Sequence, residues 1–392
     1  MRVCILGADL NLHSGHSRPA FDLADALVGR GHRVVVVSSE ASGHALRSRL
    51  TVKGDRMAIE TPFENNVKEI ESDRHKRRAF RKALENIDII HEFDYMAPDS
   101  IRRVLTRQVP IVYTANKHFR WTISDVFDGG LHGLTNLARL DFQIALLAPD
   151  FLLRRVFSSF DGVLCTSKLV QTALGRIGIA PELLYRVPPW LNPPRTGIAS
   201  ADEVPEAVDF LYYGWGSDIR GVSDLLDSFR LVEGAHPEAS LGLHFTGRHG
   251  LEERLLSKRI DSIKNSNLRL YGFDPAIFNA VSRARSIVLP FRASFGYAQP
   301  PLTVLESMAL GKAIITTDIA SIPEVVSHMS TGILVPPRSP VLLARSMVTI
   351  LEDSNLAITL GFNAKSHFDE NFDVARVVAL IERIYRRVGA KE

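Results

Sequence analysis

Short apolar runs alternate along the chain with segments whose apolar residues recur at helical spacing. The run Val34–Val37 has four consecutive valines, which is typical of a strand buried on both faces of a parallel sheet. The predicted strands are Val3–Leu6, Val34–Val37, Ile87–Ile90, Ile111–Tyr113, Val163–Cys165, Phe210–Tyr213, Leu241–Phe245, Leu268–Leu270, Ile287–Leu289, Ala313–Ile315 and Ile333–Val335. Because helical patterns lie between most of them, we expect an α/β protein with two doubly wound parallel sheets.

The same pattern predicts where the chain divides. The segment from Pro188 to Pro194 is rich in proline, and Arg195–Ala207 is polar without a clear period, as linkers are. Near the end, Asp373 is a suitable N-cap for a helix whose apolar stripe runs from Val374 to Val388. The sequence therefore predicts one domain over residues 1–192, a second over 193–373 and a terminal helix over 374–392.

Composition excludes several classes of protein. Of the 392 residues, 45% are hydrophobic and 23% are charged, which is ordinary for a globular protein. A net charge of only +3 argues against a nucleic-acid-binding protein. No apolar run approaches the roughly 20 residues of a membrane span. Cys4 and Cys165 lie far apart in apolar runs, so we expect neither a disulfide framework nor a metal site, and a reducing cytoplasm as the compartment.

Two doubly wound domains imply a cleft lined by the carboxyl ends of strands and the amino-terminal ends of helices. The first turn of a helix has N–H groups without intrahelical partners and a positive dipole end, so it binds anions. A nucleoside diphosphate is therefore the natural ligand to expect.

The most informative segment runs from Pro300 to Lys312 and reads PPLTVLESMALGK; IITTD follows at 314–318, then Glu324, then TGILVP at 331–336. This succession resembles the donor-site signature of the family 4 retaining glycosyltransferases, which have the GT-B fold of two Rossmann-like domains facing a cleft. Further pieces agree in order: Gly214–Gly221, Leu225–Leu226, His244–Arg248, Leu268–Phe273 and Val187–Pro189. The resemblance covers nearly the whole chain, and it implies that the terminal helix returns to the first domain.

The resemblance implies that the second domain binds the donor. The backbone N–H groups of Leu302 and Thr303, with the Thr303 hydroxyl, would bind phosphate oxygens at a helix start. Glu306, one turn further along, would accept hydrogen bonds from the two ribose hydroxyls. Arg220 would pair with the diphosphate, Arg248 could add a second cation, and Phe273 would lie near the base.

Two departures from the family pattern bear on the sugar and the diphosphate. Ala298 occupies the position of the family's first glutamate, and Pro300 and Pro301 lack the N–H groups usually offered to the sugar. Gln299 could supply an amide contact in their place. Trp215 occupies the position of a diphosphate-binding arginine, which leaves Arg220 with more of the charge to balance.

Loops of the first domain supply the remaining candidates. Gly15 would let the backbone approach the diphosphate, and His16 could face the cleft. The loop after Ile111–Tyr113 places Asn116 where the family often has a histidine, with His118 two residues later. We predict His118, Asn116 and Gln299 as the catalytic residues beside the donor sugar.

The resemblance implies a retaining hexosyltransferase that moves a sugar from a nucleoside-diphosphate sugar to an acceptor hydroxyl. That nucleotide sugar is a co-substrate, and we expect no metal and no other cofactor, since helix dipole and cations can steady the leaving diphosphate. Two alternatives stay open. One is a sugar-nucleotide 2-epimerase of the same fold, and the other is a non-catalytic sugar-nucleotide-binding partner of a glycosyltransferase, suggested by Ala298 and Trp215.

The acceptor is predicted only as a class: a small molecule, a glycan or a lipid-linked compound. The basic run Arg74–Arg78, with Arg81 and Lys82, is expected to be a solvated face, with contact to an anionic membrane surface or a polyanionic acceptor as the alternative. Leu137–Phe160 is rich in Leu and Phe and is expected to be core or a lid beside the acceptor. We therefore expect a cytoplasmic protein, with peripheral contact at the inner membrane face as an open alternative. The donor sugar and its base are not predicted.

Overall fold

The computed structural model of the chain contains two compact units. It describes residues 1–7, 18–37, 57–58, 78, 81–82, 84–93, 108–115, 147–194, 196, 207–245, 256, 258, 260, 267–271, 277–293 and 299–390. The first unit lies within Met1–Lys117, Ala148–Asn192 and Phe372–Glu392, and the second within His118–Leu147 and Pro193–Asn371. The residues from Phe372 onward thus belong to the first unit.

Strands and helices alternate through the described residues. The strands are β1 (Arg2–Leu6), β2 (Arg33–Val37), β3 (Met57–Ala58), β4 (Ile89–Glu92), β5 (Ile111–Ala115), β6 (Gly162–Cys165), β7 (Leu184–Arg186), β8 (Phe210–Gly214), β9 (Leu241–Phe245), β10 (Leu268–Tyr271), β11 (Ser286–Leu289), β12 (Ala313–Thr317) and β13 (Ile333–Val335). The helices are α1 (Arg18–Gly29), α2 (Asp150–Phe157), α3 (Lys168–Arg176), α4 (Val222–Ala235), α5 (Ile277–Arg283), α6 (Leu302–Ala309), α7 (Pro340–Glu352), α8 (Ser354–Asn371) and α9 (Val374–Gly389).

Each unit contains one parallel sheet. In the first unit the strand order is β3-β2-β1-β4-β5-β6-β7, and in the second it is β10-β9-β8-β11-β12-β13. In both, the first strand of the unit lies inside the sheet and the order reverses beside it, between β1 and β4 and between β8 and β11. That is the Rossmann-like arrangement, in which the carboxyl ends beside the reversal form a ligand-binding edge. The predicted fold class is confirmed.

Most strand positions agree with the apolar runs to within one or two residues. At β4 the whole strand is displaced by two residues: it begins at Ile89 instead of Ile87, after a turn in which Asn86 has a positive φ of 63°. Two strands were missed. β3 has two residues, and β7 is a partly exposed edge strand without an apolar run, so neither leaves a clear periodic signal.

The terminal helix α9 packs into the core of the first unit. The Asp373 side chain caps its start by accepting a hydrogen bond from the Ala375 N–H at 2.8 Å. Its apolar stripe is buried against α1 and the sheet; the buried stripe residues are Val374, Val377, Val378, Ile381, Ile384, Tyr385 and Val388. Removing this helix would expose the apolar face of α1, since the two lie in one hydrophobic cluster.

The side chains of Glu382 and Tyr385 make polar contacts from α9 to the rest of the first unit. Glu382 accepts hydrogen bonds from Arg30 at 2.7 and 3.0 Å and contacts His32 Nε2 at 2.7 Å. These bonds, those from Arg30 first, lower the pKa of Glu382 to about 2. One turn further, the Tyr385 hydroxyl lies 2.5 Å from His91 Nδ1.

His91 is fully buried and bridges two elements. Its Nε2 lies 2.5 Å from the Thr114 hydroxyl on β5, opposite the contact of Nδ1 with Tyr385. Burial lowers the pKa of His91 to about 3, so the imidazole is neutral, with one nitrogen donating and the other accepting. The ring thereby satisfies two buried hydroxyls between α9 and β5.

The proline-rich segment after β7 is held against the first unit. Trp190 is buried and donates its indole N–H to the Pro19 carbonyl at 2.8 Å. The Asn192 backbone N–H donates to Asp22 at 2.9 Å. Leu191 pairs with the residues on either side of Asp373 through two backbone hydrogen bonds. The proline-rich segment is therefore folded as part of the first unit as far as Asn192.

Two further features concern the described residues alone. Cys4 and Cys165 are both buried free thiols. Within the described ranges, we find no helix whose length and apolar character together would allow it to cross a membrane.

Candidate functional site

The carboxyl end of β8 forms a tight loop in the second unit. All five residues of β8 are buried, and Gly214 ends the strand with φ 140°, a conformation that disfavours any side chain. A short 3-10 turn, Asp218–Arg220, leads to Gly221, which has φ 76° and is the N-cap residue of α4. A Cβ at Gly221 would lie 1.7 Å from the Pro290 carbonyl oxygen. Only glycine allows the loop to approach the segment after β11 this closely.

Arg220 lies between two aromatic rings. Its guanidinium carbon is 5.6 Å from the centre of the Trp215 ring and 5.4 Å from the centre of the Phe291 ring. Trp215 is 45% exposed, whereas Phe291 is buried. A guanidinium is attracted to aromatic faces at this distance, so both rings restrict where Arg220 can point. Trp215 and Phe291 therefore both help to position the Arg220 guanidinium.

Sequence reasoning missed the ion pair that braces this loop. Arg292 donates to both carboxylate oxygens of Asp224 at 2.7 and 2.6 Å, and a third donor of its guanidinium bonds Asp218. The Arg292 backbone N–H also donates to the Ile219 carbonyl at 2.8 Å. These bonds, those to Asp224 first, raise the pKa of Arg292. Arg292 therefore fixes the 3-10 turn that carries Arg220, and no sequence signal distinguished it from other arginines.

The start of α6 offers hydrogen-bond donors. The helix begins at Leu302, so Pro301 is its N-cap residue. Among the described residues no side chain caps this end. The buried Thr303 hydroxyl oxygen likewise has no hydrogen-bond partner there. The first turn of α6 thus has the N–H groups that an anion site at Leu302 and Thr303 would require.

Glu306 lies one turn further along α6 and is 8% exposed. The Tyr213 hydroxyl on β8 lies 3.3 Å from Glu306 Oε2 and 2.8 Å from the Thr303 carbonyl oxygen. Tyr213 was not a predicted site residue, because its strand has the continuous apolar pattern of a buried strand. It ties β8 to the helix that carries Glu306.

Consecutive residues of β8 bring Arg220 and Glu306 to one edge of the sheet. Tyr213 contacts Glu306, and the next residue, Gly214, is covered by Arg220: a Cβ at Gly214 would lie 3.4 Å from Arg220 Nη1. A bidentate cation and a helix start can bind a diphosphate, while a carboxylate can accept from a vicinal diol. The described groups therefore suit a ribonucleoside diphosphate.

The other predicted site residues divide into two groups. Gln299 is half-buried in the coil that precedes α6. Those outside the described residues are Gly15, His16, Asn116, His118, Arg248, Phe273 and Ala298. Of the basic run, Arg78, Arg81 and Lys82 are described and exposed. In the described part of the chain, no three or more His, Cys, Asp or Glu side chains are grouped as metal ligands.

Two family models together match most of the chain. The model described as Glycosyltransferase Family 4 matches residues 13–195, and the model described as Glycosyl transferases group 1 matches residues 208–353. The chain is a family 4-like glycosyltransferase. The second model spans Arg220, Thr303 and Glu306, so the edge of the sheet described above lies inside the matched region.

Individual relatives of the family are similar over part of the chain. A D-inositol 3-phosphate glycosyltransferase from Corynebacterium glutamicum is 29% identical over 181 residues, which are 44% of this chain and 40% of that protein. An uncharacterised glycosyltransferase from Methanocaldococcus jannaschii is 23% identical over 186 residues, which are 47% of this chain and 38% of that protein. The chain thus spans about two fifths of the length of these relatives.

Solved structures are similar over the whole chain. The Anabaena protein HepE in complex with UDP-glucose has a TM-score of 0.73 and 16% identity, with 99% of this chain and 100% of that chain covered. At this identity the likeness concerns the fold. Together with the two Rossmann-like sheets, it identifies the family's GT-B fold in this chain.

Proposed function

We propose that the protein transfers a sugar from a nucleoside-diphosphate sugar to an acceptor hydroxyl. One observation carries this: Arg220, the start of α6 and Glu306 lie at one edge of the second sheet, joined through Tyr213 and Gly214. The edge is the carboxyl end of β8, where a doubly wound sheet binds its ligand. Family membership supports transfer over the two alternatives, since the matched relatives are glycosyltransferases.

In the proposed reaction, the bond between the anomeric carbon and the β-phosphate oxygen breaks, and its electron pair stays on that oxygen. Arg220 and the first N–H groups of α6 stabilise the charge that develops on the leaving diphosphate. The acceptor oxygen bonds to the anomeric carbon, and its proton passes to the oxygen of the leaving diphosphate. Glu306 binds the ribose and orients the donor.

Several finer features are part of the same proposal. We propose retention at the anomeric carbon, a hexose as the sugar and catalysis without a metal ion. Asn116, His118 and Gln299 are the proposed contacts to the sugar. The acceptor is a small molecule, a glycan or a lipid-linked compound, and the protein is proposed to be cytoplasmic, with contact at the inner membrane face when the acceptor is lipid-linked.

The donor is best approached through its nucleotide. The similar fold of HepE was solved with UDP-glucose, which makes UDP-sugars the first donors to test. UDP, GDP, ADP and dTDP should be compared by thermal shift, since a ligand at 100 times its Kd stabilises the folded state by about 2.7 kcal/mol. The selected nucleotide then sets the panel of donor sugars.

Turnover separates the three functional possibilities. A transferase releases the nucleoside diphosphate slowly by hydrolysis and faster with the right acceptor, whereas an epimerase returns an isomeric sugar. A non-catalytic partner binds the donor and leaves it unchanged. Mass spectrometry detects a sugar transferred to the acceptor, and proton NMR distinguishes an epimerised donor, which has the same mass, from an unchanged one. Arg220→Ala protein is the control for both measurements. A protein that binds none of the nucleotides would refute the proposal.

A further inference from the structure

The Tyr213 hydroxyl lies among three oxygen atoms of α6. It is 2.8 Å from the Thr303 carbonyl oxygen, 3.2 Å from the Ser307 hydroxyl and 3.3 Å from Glu306 Oε2. Tyr213 and Ser307 are buried, at 2% and 0% exposure, so water does not readily replace either of them. The carboxylate of Glu306 is therefore held from the side of β8 by a protein hydroxyl.

Ser307 determines where the Tyr213 proton can go. Its hydroxyl donates to the Thr303 carbonyl oxygen at 2.7 Å, which is the shorter of the two contacts to that oxygen. A tyrosine hydroxyl has one proton, and a carboxylate is a stronger acceptor than a carbonyl group that already accepts a hydrogen bond. The Tyr213 proton is thus available to Glu306 Oε2.

We propose that Tyr213 is a positioning residue for Glu306 and that the pair makes this site select ribonucleotides over 2′-deoxyribonucleotides. This inference rests on the proposed function, in which Glu306 accepts from the ribose hydroxyls. A carboxylate has about four acceptor positions, so a bond from Tyr213 is compatible with hydrogen bonds from a ribose diol. Holding Oε2 fixes the plane of the carboxylate, and the 2′-hydroxyl then contributes its full hydrogen bond.

The inference also identifies the donor by chemical class. A site with an oriented acceptor for the 2′-hydroxyl favours UDP-, GDP- or ADP-sugars over dTDP-sugars. With the 2′-hydroxyl missing, the Glu306 carboxylate would lose a partner in a buried place, and such losses discriminate strongly between ligands.

The test compares each ribonucleotide with its 2′-deoxy counterpart by calorimetry. The probe pair is UDP with dUDP, GDP with dGDP or ADP with dADP, whichever base the thermal-shift screen selects. The wild-type protein should prefer the ribonucleotide by about tenfold or more. Tyr213→Phe should reduce that preference to about two- to threefold, mainly because it weakens binding of the ribonucleotide. Glu306→Ala should abolish it, and adding Tyr213→Phe to Glu306→Ala should change nothing more.

Tyr212→Phe is the matched control on the same strand. The Tyr212 hydroxyl bonds the Trp215 carbonyl at 2.5 Å, so its loss disturbs the Arg220 loop and should affect both nucleotides of a pair alike. Ser307→Ala gives a second measurement should Tyr213→Phe fold poorly. Without the Ser307 hydroxyl, the Thr303 carbonyl can compete for the Tyr213 proton. The preference for the ribonucleotide should therefore fall, but by less than in Tyr213→Phe.

The outcomes separate this inference from the proposed function. A preference unchanged in both Tyr213→Phe and Ser307→Ala would overturn the inference alone. So would a wild-type protein that binds the 2′-deoxy nucleotide of the selected pair as tightly as the ribonucleotide. Failure of the wild-type protein to bind any nucleoside diphosphate would overturn the proposed function and the inference with it.

Discussion

Replacing Arg220 by alanine should weaken nucleoside diphosphate binding far more than nucleoside monophosphate binding. Arg220 is held between Trp215 and Phe291 and lies over Gly214, where a diphosphate bound at the start of α6 would meet it. Among the described residues, the neighbouring cation Arg292 is already bonded to two carboxylates. Arg220 should therefore contribute the main positive charge of this loop toward the β-phosphate.

The size of the effect follows from the contacts that are lost. A hydrogen bond to a charged group contributes about 1.5–3 kcal/mol, and Arg220 can offer a bidentate pair. A helix start contributes about 0.3–2 kcal/mol toward an anion, so it cannot replace the arginine. We expect Arg220→Ala to cost about 2–4 kcal/mol, or roughly 30- to 1000-fold in Kd. Arg220→Lys should recover part of this, because lysine keeps the charge but lacks the planar fork that stacks on the two rings.

Calorimetry with UDP and UMP, or with the pair that the screen selects, measures the effect. Arg230→Ala is the matched control: it removes the same charge from an exposed position on α4 and should leave both affinities nearly unchanged. Trp215→Ala should weaken binding of the nucleoside diphosphate by about three- to tenfold, because Arg220 would be less well positioned without the ring. Equal loss for both nucleotides in Arg220→Ala, or no loss for either, would show that Arg220 is not at the β-phosphate. Arg248 would then be the better candidate.

Three further predictions concern the two units. Gly221→Ala should destabilise the second unit by more than about 2 kcal/mol in a thermal unfolding assay. The new Cβ would clash with the Pro290 carbonyl, and the residue would have to keep a positive φ. The control Gly234→Ala, in an open position of α4, should be neutral or stabilising in the same assay. His91→Phe should flatten the pH dependence of stability measured by urea unfolding between pH 7 and pH 4. His91 becomes protonated below about pH 6.5 in the unfolded chain, but only below about pH 3 in the folded protein. The contribution of neutral His91 to the free energy of unfolding is therefore complete above about pH 6.5. It falls by about 1.4 kcal/mol per pH unit as the pH drops from 6.5 toward 3. Deleting residues 374–392 should speed amide exchange throughout the first unit, and exchange that changes only in the second unit would contradict the packing of α9 on α1.

The strand positions and the wiring follow from local patterns. An apolar run of four or five residues bounded by polar turns predicts a strand whatever it packs against, and the alternation with helices predicts parallel sheets. The helix that carries Glu306 could be predicted in the same way, because its start, its proline and its carboxylate lie within a few residues of one another. The pattern of these neighbouring residues also carried the resemblance to the family.

Side-chain partners that are far apart in the sequence were decided by the tertiary structure. Tyr213 and Glu306 are 93 positions apart, and Arg292 and Asp224 are 68 positions apart. The apolar pattern of β8 treats Tyr213 as one more buried residue, since periodicity reports burial and not the atom that a hydroxyl faces. Likewise, Trp215 is a lost cation in the sequence and a ring against Arg220 in the structure. Local propensity thus determined where the strands and helices lie along the chain. The orientation of each polar group depended on which strand and helix ends the fold brought together, because a hydrogen bond requires a partner at about 3 Å.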